Sequence, residues 1–347
     1  MDSALIEVSR TILRRFDMRS KALRFSCAVA GLLLSAFIST SAYSADVIKL
    51  RYAMWMPPTH KMSVVVDQWC KEVEKRTEGR VKVTPYFGGT LAAPQLVYDG
   101  LLKEAFDLGQ TALAYNTGRF PFSEILDYPL GYRDARQATA LDIAFTAKFK
   151  PQLKEFEDVK MLYFFAPGAT LIHTRKVISS VEDIKGMRIK GSGLNLKALE
   201  VLGAVPSTIT MAETYDALQK GMLDGVLQFT ETLQTFRFGE VLKCTVTDHG
   251  ISTAPVQYVA MNKKKWESLP KDIQLIIEKI NEEWVPKTVD ELMAMDKEAY
   301  EFLKKQGHTI MAVSKEQEAK TAEKMKPVLD IYVQAMKAKN LPGDEAL

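Results

Sequence analysis

Arg188 and Lys190 stand two residues apart in Gly186-Met187-Arg188-Ile189-Lys190, where polar and apolar side chains alternate as on a β-strand. Alternation predicts both cations on one face, with Met187 and Ile189 on the other. Gly191-Ser192-Gly193 then breaks the strand, and Leu194, Ala198, Leu199 and Leu202 follow at helical spacing. A helix start beside a cation suits an anion, because unpaired backbone N–H groups and the positive end of the helix dipole both favour negative charge. The same residues also fit a solvated strand end carrying two ordinary surface cations.

Chemistry of turnover is harder to find. The four histidines, His60, His173, His249 and His308, are scattered, without the paired spacing of a metal site. No Gly-x-Ser-x-Gly elbow and no G-x-x-x-x-G-K-[ST] phosphate loop occurs. Gly191-Ser192-Gly193 opens a dinucleotide-type G-x-G-x-x-G, but Leu196 occupies the third glycine position. No catalytic residue, metal or cofactor is therefore expected, and recognition remains: a concave, mostly apolar cleft with a few placed polar groups.

The stretch from Val181 to Gly225 carries a more specific signal. A D-x-K-G-x-x-I sequence over Asp183–Ile189 is followed by E-x-Y-x-A-L-x-x-G-x-x-D-G over Glu213–Gly225. With Thr90-Leu91, Gln95, Tyr98-Asp99-Gly100, Asp107-Leu108-Gly109 and Leu126-Asp127-Tyr128-Pro129-Leu130, these residues resemble the solute-binding subunit of tripartite ATP-independent periplasmic (TRAP) transporters. The likeness covers nearly all of the chain after residue 46. It implies an α/β, two-lobed periplasmic binding protein fold with a long kinked helix spanning both lobes. It implies a monomer that captures a small organic monoanion, carboxylate or sulfonate, and delivers it to the TRAP membrane permease subunits. The same fold also serves as an extracytoplasmic sensing module for a signalling receptor, and an α/β enzyme is the remoter alternative.

The resemblance also supplies positions. Lys190 stands where the family carries its ligand-carboxylate arginine, so a point charge on a flexible stem replaces a planar fork. Arg188 lies nearby, at a position usually held by lysine. Thr170 stands where members that bind acidic sugars have a second arginine, which favours a monoanion over a dicarboxylate. Gln228 replaces an asparagine that bonds the ligand acid, and Met211 an aromatic platform, although methionine equally fills cores. In the first lobe, the loop from Trp55 to His60, together with Gln95, Tyr115 and Asn116, lies where the family gathers its contacts. Trp55 also reads as a core residue and His60 as a locally bonded loop histidine.

Alternating strand-like and helix-like segments must position these residues. Ile48–Ala53 reads as a strand, Ser63–Arg76 as a helix, and Val81–Tyr86 as a second strand. A helix around Pro94–Lys103 and a strand over Asp107–Leu113 follow. Tyr258–Asn262 reads as a strand returning to the first lobe, and Pro270 opens a long helical pattern to about Gln306, interrupted by Pro286. The lobes are expected at 46–171 with about 256–290, and at 172–255 with about 298–347, joined by the helix at about 271–306.

Arg19, Lys21 and Arg24 precede an apolar run from Phe25 to Ile38, with Ala42-Tyr43-Ser44-Ala45 as a small-residue cleavage region. Export to the periplasm through a cleavable signal peptide in residues 1–45 follows, with Met18 a second candidate start. The run is shorter than the ~20 apolar residues of a membrane span. Residues 1–45 hold six of the 46 Lys/Arg and three of the 43 Asp/Glu, so the formal charge of +3 belongs to that region and the remainder is balanced. Without a basic stripe, nucleic acid is not expected as a partner. Cys70 and Cys244 are the cysteines beyond the signal region, and Cys70, on an apolar helix face, is expected as a buried thiol.

Overall fold

The computed structural model describes residues 46–150 and 152–347, so the signal-peptide reading lies outside the described residues. Strands β1 (Ile48–Ala53), β2 (Val81–Tyr86), β3 (Leu108–Ala112), β4 (Val159–Phe165) and β10 (Gln257–Asn262) form one sheet, in the order β2-β1-β3-β10-β4. The second sheet contains β5 (Leu171–Thr174), β6 (Arg188–Lys190), β7 (Val205–Ser207), β8 (Gly225–Gln228), β9 (Cys244–Thr247) and β11 (Thr309–Ala312), in the order β11-β9-β5-β8-β6-β7. β3 and β10 are buried along their whole length, as central strands covered on both faces must be.

Each sheet holds one strand antiparallel to its neighbours. In the first it is β10, which pairs antiparallel with β3 and β4; in the second it is β5, antiparallel to β8 and β9. Both are strands that the chain enters after crossing from the other sheet. The architecture is therefore two α/β lobes tied by the β4–β5 connection, the β9–β10 connection, and the helix leading to β11.

Helix α1 (Lys61–Arg76) lies on the first sheet through Val65, Val66, Trp69, Cys70 and Val73, an i, i+3, i+4 stripe. His60 is its N-cap, and its Nδ1 accepts from the Met62 amide at 3.1 Å. Helix α2 (Ala135–Lys148) covers β4. In the second lobe a short helix α3 (Asn195–Val201) follows β6, and α4 (Met211–Gln219) starts with a Thr210/Glu213 capping box.

The 35-residue helix α5 (Lys271–Lys305) joins the lobes. Ile273, Ile277, Ile280, Trp284, Leu292 and Met295 pack into the first-lobe core with Leu50, Tyr52 and Trp69, whereas Leu303 packs with Leu218, Val226 and Phe238 of the second. Two tryptophans pin it to α1: Trp69 Nε1 donates to Asn281 Oδ1 at 2.9 Å, and Trp284 Nε1 to the Val65 carbonyl at 3.1 Å. Pro286 lies inside this helix, where its missing N–H removes one backbone bond. Cys70 and Cys244 are both free and buried.

The segment after residue 298, expected entirely with the second lobe, divides. β11 pairs with β9, but the tail divides into the helices α6 (Lys315–Glu323) and α7 (Lys326–Ala338) and a final helical turn over Gly343–Ala346, and α7 packs on the first lobe. There Tyr332 OH donates to the Phe122 carbonyl at 2.7 Å, and its ring meets Tyr128 at 5.5 Å between centroids. The reason is the apolar stripe Val328, Tyr332, Met336, which finds the aromatic cluster of Phe122, Phe145 and Phe149.

Candidate ligand-binding site

A cavity of about 700 Å³ opens between the sheets, lined from the first lobe by Trp55, Gln95 and Tyr115 and from the second by Lys190, Ser192, Gly193, Thr210, Met211 and Phe236. Trp55 extends from the loop after β1, and Tyr115 from the turn after β3. The neighbouring positions of β1 and β3 in the sheet bring the two rings together, edge to face at 5.8 Å and 76°. Burial raises the Tyr115 hydroxyl to about 12, so it remains a neutral donor.

Lys190 ends β6, with β7 on one side and β8 on the other, and its side chain is only 3 % exposed. Its Nζ lies 3.4 Å from Met211 Sδ, a weak acceptor. Burial lowers its pKa to about 8, with no charged neighbour contributing to the shift. A desolvated ammonium without a counter-ion, beside an open cavity, is unfavourable by itself and attractive to an incoming anion.

Arg188 does not join it. Its side chain is exposed at the other end of the three-residue strand, where Nε lies 3.4 Å from Asp224 Oδ2 and NH2 donates to the Gly221 carbonyl. Strand parity put the two cations on one face, but the acidic turn before β8 draws Arg188 away from the cleft. Thr170 is also outside. It is fully buried, its Oγ1 lies 3.0 Å from Thr253 Oγ1 and accepts from the Thr253 amide at 3.1 Å, and Thr253 Oγ1 donates onward to Asn195 Oδ1 at 2.7 Å. Thr170 thus stitches two of the inter-sheet connections together. Asn116 stands behind the wall, its Nδ2 donating to the Gln95 carbonyl at 2.9 Å.

Behind the main cavity lies a smaller compartment of about 50 Å³, sharing Trp55, Tyr115, Met211 and Phe236 with it. Gln228, at the end of β8, and His60 both line this inner compartment. Among the other lining residues that have no counterpart in the sequence reading of the site are Phe236, Glu231 and Gln257. Gln257 had a signal, since it is the polar residue opening the otherwise apolar run of β10; Phe236 and Glu231, in the turns after β8, had none. The other histidines serve the fold. His173, His249 and His308 bond Thr245, the Thr170 carbonyl and Thr245 respectively, and burial lowers the first two to about 3 and about 4.

A family model described as bacterial extracellular solute-binding protein, family 7, matches residues 52–335. The C4-dicarboxylate-binding periplasmic protein DctP of Rhodobacter capsulatus is 26% identical over 328 residues, covering 92% of this chain and 96% of that protein. Among solved structures, a TRAP periplasmic solute-binding protein from Desulfovibrio salexigens is 29% identical with a TM-score of 0.77, covering 86% of this chain and 93% of that one. A second from Desulfovibrio salexigens, with bound orotic acid, is 26% identical with a TM-score of 0.75, covering 86% and 96%.

Proposed function

The chain belongs to the bacterial extracellular solute-binding proteins of family 7, the solute-binding subunits of TRAP transporters, and from that premise we propose that it captures a small organic monocarboxylate between its lobes with Lys190 as the anion anchor. Members of this family bind solutes for membrane permeases and are not enzymes. One observation carries the reading: the Lys190 ammonium is buried at the cavity wall with a thioether as its hydrogen-bond partner. An acid placed there gains a charge-assisted bond and returns to the lysine the counter-charge that burial withholds.

The single cation favours one negative charge. Arg188 is engaged with Asp224, Thr170 with Thr253, and the inner compartment carries the Glu231 carboxyl, which opposes a second anionic group there. Orotic acid, bound by one relative, is a monocarboxylate on a flat ring; Trp55 and Tyr115 would wall such a body here. A sulfonate satisfies a lysine equally and is the comparison to make. Capture works as a population shift, in which contacts from both lobes favour the closed state by their differential affinity. The moving bodies are residues 46–171 with about 256–290 and the α7 tail, against 172–255 with about 298–325. The protein acts as a monomer after export through its signal peptide, and hands the acid to the permease pair.

A thermal-shift screen over aliphatic acids, aromatic acids and their sulfonate analogues identifies the ligand, since a molecule that binds only the native state raises the melting temperature. Calorimetry with that ligand then tests the anchor. Lys190→Ala is expected to weaken binding by roughly 1.5–3 kcal/mol. Unchanged affinity in a folded variant removes Lys190 from the site.

A further inference from the structure

Three buried polar atoms of the inner compartment have no hydrogen-bond partner among the described residues: Trp55 Nε1, His60 Nε2 and Gln257 Oε1. Orphaned groups of this kind are rare in folded proteins, and three around one small space mark a place for a polar atom that the protein does not itself supply. The His60 tautomer is fixed by its cap. Nδ1 accepts from the Met62 amide, so the ring proton sits on Nε2, which becomes a donor. The nearest acidic atom to it, Glu231 Oε2, is 3.6 Å away and already accepts from Thr235 Oγ1 at 2.7 Å. The compartment thus offers two N–H donors, from Trp55 and His60, and one free acceptor, from Gln257.

We infer that this compartment is a hydroxyl subsite, and that the natural ligand is a monocarboxylate carrying a hydroxyl at the end remote from its acid group. The inference rests on the reading that Lys190 holds the acid. A hydroxyl accepts from donors and donates to an acceptor at the same time and stays neutral, whereas an alkyl amine is protonated at neutral pH and has no lone pair left to accept with, and a carboxamide is bulkier. A carbonyl accepts from Trp55 and His60 but leaves Gln257 Oε1 unpaired, and a methyl leaves all three unpaired. A second carboxylate meets the Glu231 carboxyl and lacks a proton for Gln257. The volume of about 50 Å³ admits a group of hydroxyl size, close to the ~30 Å³ that one water occupies in the liquid.

The test is calorimetry on the full exported protein with matched probes: hexanoate, 6-hydroxyhexanoate and adipate, and the pairs benzoate with 3-hydroxybenzoate and 3-phenylpropanoate with 3-(4-hydroxyphenyl)propanoate. In at least one pair the hydroxylated acid is expected to bind roughly tenfold or more tightly than its parent, and adipate more weakly than 6-hydroxyhexanoate. Trp55→Phe keeps the aromatic wall and removes one donor; His60→Asn keeps a capping side chain on α1 and withdraws the other. Each is expected to erase most of the preference, lowering the hydroxylated acid's affinity by more than its parent's. Equal Kd values within every pair that binds, or a preference retained in both variants, overturn the subsite and leave the anchor reading intact. A hydroxyl preference that persists with undiminished affinity in Lys190→Ala does the reverse. If no probe or other acid binds the wild type, both fall. Should His60→Asn fail to fold, Trp55→Phe decides alone.

Discussion

Gly193 faces Ala114 across the cleft so closely that a Cβ on the glycine would come within 2.8 Å of the alanine Cβ. The two residues belong to different lobes, so this is a point where the halves touch. Gly193 also has φ +53°, a backbone conformation that costs a residue with a side chain roughly 1–2 kcal/mol. Gly193→Ala is therefore expected to hold the lobes apart and weaken ligand binding several-fold, beyond its modest loss of stability. Small-angle scattering with saturating ligand checks this: a variant that closes as fully as the wild type contradicts it.

Lys190 predicts opposite pH trends for binding and for stability. Burial places its pKa near 8 in the free protein against 10.5 for an unburied lysine. Below about pH 8 the ammonium is present and affinity is flat. Above it, anion binding must take up a proton, and Kd rises by up to about tenfold per pH unit. Between about pH 8 and 10.5 the unfolded chain holds more protons than the folded one, so this group makes the ligand-free protein more stable as pH rises. Lys190→Met removes a burial cost on the order of 3 kcal/mol at neutral pH. That variant is expected to melt higher than the wild type without ligand and to show a smaller ligand-induced shift at the same ligand concentration.

Asp127, part of the Leu126–Leu130 motif, acts on the fold. Its Oδ1 accepts from the Val256 amide at 2.8 Å where the chain re-enters the first sheet, and burial raises its pKa from 3.8 to about 8. The folded state thus binds the extra proton between about pH 4 and 8, and stability falls as pH rises through that window. Asp127→Asn keeps an acceptor and cannot titrate. Urea melts from pH 5 to 8 are expected to show a flatter stability profile for the variant, and an unchanged slope excludes Asp127 as its source.

Thr170→Val should separate stability from affinity. It removes the Thr170–Thr253 side-chain bonds, at about 1–2 kcal/mol, while leaving the cavity lining unaltered. Urea denaturation should register the loss and calorimetry should not. An affinity loss as large as that of Lys190→Ala returns Thr170 to the ligand.

These contrasts mark what the sequence carries. The strand–turn–helix order around Lys190 was legible because its signals are local: alternation, two glycines, and the helical spacing of Leu194, Ala198, Leu199 and Leu202. That Arg188 and Lys190 part company was not, because the partner that captures Arg188, Asp224, lies beyond two helices in sequence. Helix α2 escaped notice because Arg136, Gln137 and the buried Asp142 interrupt its apolar spacing. The inner compartment needs His60, Gln228 and Gln257 brought from a helix cap and from strands of two different sheets, and local pattern says nothing of such meetings. The sequence from Lys315 to Lys339 reads as one amphipathic helix, which the structure divides into α6 and α7, but a stripe names no partner, and the aromatic cluster that α7 found belongs to the lobe that residues 298–347 were not expected to join.

The three passages of the chain between its sheets have a consequence for assembly. For two copies to exchange a lobe, the β4–β5 connection, the β9–β10 connection and α5 would have to open in concert, with the Thr170–Thr253 bonds broken in both molecules. A receptor laced in this way can hinge repeatedly at high concentration without becoming entangled with its neighbours.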